Sequence, residues 1–127
     1  MFSDAEYFNQ PLNKWNVSNV YNMRYLFNNA RSFNQPLNNW NVSKVEDMNS
    51  MFNGASSFNQ PLNNWNVSKV TYVSFMFDGA SSFNQPLNKW NVSNDVTYMR
   101  RMFDGADSFN QPLHAPWYYD SEESDSE

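Results

Sequence analysis

The chain has 127 residues, no cysteine and a single histidine. It is one domain's worth of chain, without the residues for a disulfide, a thiolate metal site or a histidine cluster. The net charge of −5 hides a neutral body, because eight Lys/Arg balance eight Asp/Glu over residues 1–119 and the excess acid lies in 120–127. No basic stripe offers itself to phosphates, and no stretch approaches the ~20 apolar residues of a membrane helix.

Met1 to Glu6 has neither a basic start nor an apolar core, so no signal peptide is expected here. Phe2, Ala5 and Phe8 already align with Phe27, Ala30 and Phe33. The chain therefore begins inside a repeat. Either it is part of a longer array or translation starts at a repeat methionine.

Phe-Asn-Gln-Pro-Leu begins at Phe8, Phe33, Phe58, Phe83 and Phe109, and Trp-Asn-Val-Ser at Trp15, Trp40, Trp65 and Trp90. The period is 25 residues, and 26 in the last step. A period of this size marks stacked coils that bury their apolar faces only against one another.

The second coil serves as the pattern. Pro36 lacks an amide proton and belongs at a corner, and it pushes Gln35 toward an extended backbone. Leu37, Trp40 and Val42 follow at L-x-x-L-x-L spacing, which predicts a short strand with Asn41 facing out. Val45, Met48, Met51, Phe52 and Ala55 then fall on one face of a predicted helix. Ser43 is placed to cap it, with Glu46 completing a capping box, and Asn53-Gly54 to end it.

The expected architecture is an α/β repeat: a leucine-rich-repeat-like right-handed solenoid with one short parallel strand and one short helix per coil. Residues 1–112 form about four and a half coils, 113–119 a C-terminal cap, and 120–127 an acidic disordered tail. The Asn34 and Gln35 columns read as amide ladders along the stack. Asn-Val-Ser at Asn16, Asn41, Asn66 and Asn91 matches the N-glycosylation acceptor, but follows more simply from an outward Asn before a helix cap. One extra residue enters at 93–96, where Asp95 is positioned to cap. In the last coil Pro116 stands at the expected Trp place and ends the ladder. Trp117, Tyr118 and Tyr119 are expected to fold over that coil, and His114 reads as a surface residue of the cap.

The repeat F-N-Q-P-L-N-x-W-N-V-S-x-V-x-x-M-x-x-M-F-x-x-A resembles the BspA-like surface-protein repeats of 25–26 residues found in mycoplasma-type lipoproteins. Similar arrays occur in protists, algae and large DNA viruses. The resemblance covers nearly all of residues 1–113. It implies a leucine-rich-repeat-like solenoid and a surface role in adhesion or interaction, with no catalytic residue or cofactor to carry over. This chain departs from the lipoprotein pattern in lacking a signal peptide and a lipid-bearing cysteine, which leaves a viral or intracellular setting open.

The first reading is a non-enzymatic scaffold for protein–protein interaction or adhesion. Its binding residues should be those that vary between coils on the predicted helix side: Tyr21, Tyr25, Tyr72, Phe75, Tyr98, Arg100 and Arg101. The alternative is a self-assembling structural subunit, such as a virion component. It would join through an open N-terminal strand edge carrying Leu12, Trp15 and Val17, so a homo-oligomer is expected there. No acid pair, nucleophile set or phosphate loop supports an enzyme, and neither a metal nor a cofactor is expected.

Overall fold

The computed structural model describes residues 1–92 and 98–111. The expected cap, tail, His114 and the Asp95 insertion lie outside these residues. The 25-residue coils do stack, and each is bonded to its neighbours in sequence-equivalent positions. The expected content of each coil is overturned. Among the described residues there is no helix, and strand pairing is reduced to single parallel bridges, Asn22–Asp47, Asp47–Tyr72 and Tyr72–Tyr98. The chain is therefore not an α/β solenoid of the leucine-rich-repeat kind.

The stretch read as a helix is a run of tight turns. In the first coil the Leu26 N–H donates to the Met23 carbonyl at 3.2 Å and the Ala30 N–H to the Phe27 carbonyl at 3.0 Å. The third residues of these turns, Tyr25 and Asn29, have φ of 62° and 59°. A positive φ at the third residue is the mark of a type II turn. The next coils repeat the pattern at Ser50 (58°) with Gly54 (74°) and at Phe75 (59°) with Gly79 (75°). A left-handed residue every fourth position cannot continue a right-handed helix.

The amides left over by these turns point along the stack. Met23, Tyr25, Phe27 and Asn29 donate to the carbonyls of Asp47, Asn49, Met51 and Asn53 in the next coil, at 2.7 to 3.1 Å. A helix would have used the same N–H groups within its own coil. Consecutive turns deliver an inward side chain every three or four residues, so their apolar spacing imitates that of a helix.

The stretch read as a strand is also turned. The Trp40 N–H donates to the Leu37 carbonyl at 3.0 Å, with Asn38 and Asn39 at the corner. Among the described residues no backbone ladder runs along Leu37–Val42. Side chains make the contacts between coils there instead. The indole N–H groups of Trp40, Trp65 and Trp90 donate to the carbonyls of Leu12, Leu37 and Leu62 one coil back, at 2.8 to 2.9 Å. The Asn34 Oδ1 accepts from the Asn59 N–H at 2.9 Å and from the Gln60 side-chain amide at 3.0 Å, and Asn9 and Asn59 act likewise. The two amide columns thus divide the work: Asn accepts and Gln donates.

Ser43 caps no helix. Its N–H is itself bonded by the Asn41 Oδ1 at 3.0 Å, as those of Ser18 and Ser68 are by Asn16 and Asn66. An Asn side chain that takes the amide two residues on is an Asx turn, which accounts for Asn-Val-Ser in each described coil. Gly54 is not a helix stop but the third residue of a turn, and a Cβ on it would strike the Asn29 Oδ1.

Two phenylalanine ladders run through the core. Phe2, Phe27, Phe52, Phe77 and Phe103 stack with centroids 5.5 to 5.6 Å apart. Phe8, Phe33, Phe58, Phe83 and Phe109 stack at 5.9 to 6.1 Å. Within the coils the paired rings sit 4.2 to 4.5 Å apart. Offset aromatic pairs are worth about 0.5–1.5 kcal/mol each beyond the area they bury. The Leu, Trp, Val, Met and Ala columns close around the ladders.

Candidate functional site

The run of turns that replaces the helix presents one face to solvent. Its parallel bridges hold Asn22, Asp47, Tyr72 and Tyr98 in a single column. In the third and fourth coils that column becomes aromatic, and the Tyr72 and Tyr98 rings stack with centroids 4.7 Å apart and planes 19° from parallel. Both remain open to solvent, Tyr72 at 37% and Tyr98 at 51% of full exposure.

Three residues further on, the left-handed column reads Tyr25, Ser50, Phe75 and Arg101. The half-buried Phe75 lies beneath the Arg101 guanidinium, which is 5.7 Å from the ring centroid. Arg101 also pairs with Asp104 and stands 3.6 Å from Asp78. Burial raises the Asp78 carboxyl above its ordinary range, Arg101 pulls it down in part, and Asp104 pushes it up. Arg100 is exposed beside them.

Tyr72, Phe75, Tyr98, Arg100 and Arg101 thus share one face of adjacent coils. Tyr21 and Tyr25 do not join them. They lie two coils away from Tyr72, at 67% and 46% exposure. The coil between carries Glu46, Asp47, Asn49 and Ser50 in the corresponding places.

The sequence reading missed Arg24. It stacks 5.3 Å from the Tyr25 ring centroid and lies 3.6 Å from Asp47, which makes Arg24 and Tyr25 a second, smaller cluster. The signal was present, since Arg24 occupies the repeat position of Arg100.

The residues expected along a strand edge are placed differently. Leu12 and Val17 are buried, and the Leu12 carbonyl receives the Trp40 indole. Trp15 is 47% exposed and packs on Phe2 at 5.6 Å. The described part of the first coil has no strand edge, because Leu12 to Trp15 is a turn closed by the Trp15 N–H on the Leu12 carbonyl at 3.0 Å.

Among the described residues no three His, Asp or Glu side chains group as metal ligands. The surface can offer aromatic faces, hydroxyls and guanidinium groups, which suit recognition. No curated protein and no solved structure matches the chain. The profile of one family, described as Mycoplasma protein of unknown function, DUF285, matches residues 1–117. This supports the mycoplasma-type part of the resemblance and says nothing specific to BspA-like repeats. With residues 1–117 matched, the chain belongs to the DUF285 family.

Proposed function

We propose that the chain is a non-enzymatic repeat scaffold that binds a protein partner in adhesion at a cell surface, through the turn face of its third and fourth coils. The observation that carries this reading is the exposed Tyr72–Tyr98 stack beside Arg101 and Phe75. Tyr and Arg are the usual anchors of protein interfaces: Tyr buries much area with few rotatable bonds, and Arg presents several donors in a planar fork. The opposite face is monotonous. Its outward positions repeat Asn38-Asn39 and Asn63-Asn64, with Asn13-Lys14 and Asn88-Lys89 at the ends. The fold holds most positions to a strict repeat and lets the turn face vary, which is where specificity would reside. Membership of a family of unknown function is compatible with this reading and does not choose a partner.

The test is binding of the labelled chain to cultured cells and to immobilised extracellular-matrix proteins. Tyr72→Ser with Tyr98→Ser should weaken binding about tenfold or more, the effect of losing an interface anchor. Asn39→Ser with Asn64→Ser should leave it unchanged. Equal binding by both variants, or no binding by the natural chain, would remove the proposal.

A further inference from the structure

Tyr72 and Tyr98 combine two properties that the phenylalanine ladders keep apart. Their rings lie 4.7 Å from centroid to centroid, closer than the 5.5 to 6.1 Å between ladder rings of neighbouring coils. Both are open to solvent, whereas the ladder rings from Phe27 to Phe83 are fully buried. A parallel bridge joins the two tyrosine backbones. Residues paired in this way are held about 4.8 Å apart by their backbones, so side-chain rotation alone can bring the rings into bonding range.

Among the described residues no other two tyrosine rings meet. Tyr7, Tyr21 and Tyr25 are exposed as well, and Tyr25 has the Arg24 guanidinium at its ring.

We propose that Tyr72 and Tyr98 are an oxidative modification site, coupled by a haem peroxidase with hydrogen peroxide into a dityrosine that staples the third coil to the fourth. Each phenol gives one electron and one proton to the peroxidase and becomes a phenoxyl radical. The two radicals join by a carbon–carbon bond between ring carbons next to the hydroxyls. Each of those carbons then releases its hydrogen as a proton while the phenolic oxygen takes one up, and both rings are aromatic again. In sum one C–C bond replaces two C–H bonds, and the peroxide is reduced to two molecules of water. Holding both rings in one stack turns a bimolecular encounter into an intramolecular one, which favours this pair over links between chains. The link spans the 26-residue step of the array. The inference does not rest on the turn-face reading, since coupling needs only the two rings.

The experiment treats the full chain at low concentration with a haem peroxidase and hydrogen peroxide, then maps links by tryptic digestion and mass spectrometry. Cleavage after Lys69, Lys89 and Arg100 puts Tyr72 and Tyr98 on separate peptides, each with one tyrosine. The two peptides should appear joined, lighter than their sum by two hydrogen atoms, with a yield that does not change on tenfold dilution. Tyr72→Phe and Tyr98→Phe keep the stacked ring and should each abolish the link, and Tyr21→Phe should leave it. The linked chain should also unfold at a higher urea concentration, because a closed loop lowers the entropy of the unfolded chain. Absence of the joined peptides, a yield that falls on dilution, or an unchanged urea midpoint would overturn the proposal.

Discussion

Changing an amide to its acid should have opposite effects in two neighbouring columns. The Asn34 Oδ1 accepts from the Asn59 N–H at 2.9 Å and from the Gln60 Nε2 at 3.0 Å. Gln60 donates to that oxygen and, at 3.3 Å, to the Asn34 carbonyl. Asn34→Asp keeps an acceptor where one is needed. Hydrogen bonds to a charged group are worth about 1.5–3 kcal/mol against 0.5–1.5 for neutral ones, and part of that gain is spent on desolvation. The stability at neutral pH should therefore stay within about 1 kcal/mol of the natural chain. Gln60→Glu removes the side chain's donor group and sets a carboxylate against two oxygens, one of them Asn34's own carbonyl. Loss of the bonds with partners left unpaired should cost about 1.5–3 kcal/mol.

The pH dependence separates the two further. An aspartate at 34 receives two N–H groups, so its folded pKa lies below its unfolded value, and its contribution is present above the unfolded pKa and lost as pH falls through the folded one. A glutamate at 60 faces acceptors, so its folded pKa is raised. On protonation it becomes an O–H donor, and its deficit should shrink as pH falls through that raised value. Urea unfolding at neutral and mildly acidic pH, read as midpoints, decides the matter. Equal midpoint shifts for the two variants at neutral pH, or deficits that move in the same direction with acid, would refute the assignment of acceptor and donor columns.

Trp65→Phe should cost about 1–3 kcal/mol, because the buried Leu37 carbonyl keeps only the Trp40 N–H and loses its 2.9 Å indole donor, and a small void opens. The shift in the urea midpoint measures it, and a loss under about 0.5 kcal/mol would contradict the role given to the indole. Ser50 sits at φ 58° and its side chain is buried. Ser50→Gly should raise stability by about 1 kcal/mol, visible as a higher melting temperature, since glycine adopts the left-handed turn without a Cβ penalty. Asp78 has a carboxyl raised chiefly by burial, so it favours the folded state more in acid than at neutral pH. Asp78→Asn should hold or slightly raise stability at neutral pH and flatten the pH dependence just above the ordinary carboxylate range, as thermal melts across that range would show.

The sequence by itself determined the 25-residue register, and with it which residues stack on which. Identical words at identical spacing put Phe33 over Phe8 and Gln60 beside Asn34, and the columns of amides and aromatics were legible before any coordinates. The inward apolar set was legible too: Leu37, Trp40, Val42, Val45, Met48, Met51, Phe52 and Ala55 are all buried. On the varied face Tyr21, Tyr25, Tyr72 and Tyr98 stand exposed, whereas Phe75 is half-buried and Arg24 went unread. The backbone path was not legible. Val45–Ala55 has the apolar spacing of a helix, but tight turns recur every three or four residues as well. A single coil offers no way to tell them apart, because the deciding hydrogen bonds leave the coil. Met48, Ser50, Phe52 and Gly54 give their amides to Tyr72, Ser74, Met76 and Asp78 in the next one. That ladder also makes tolerable a left-handed backbone at Tyr25, Ser50, Phe75 and Arg101, none of which has the intrinsic preference for it. Tertiary structure likewise decided that Tyr72 and Tyr98 meet while Tyr21 and Tyr25 stay apart. Column position follows from the repeat, but whether two rings touch depends on which coils are neighbours and what stands between them.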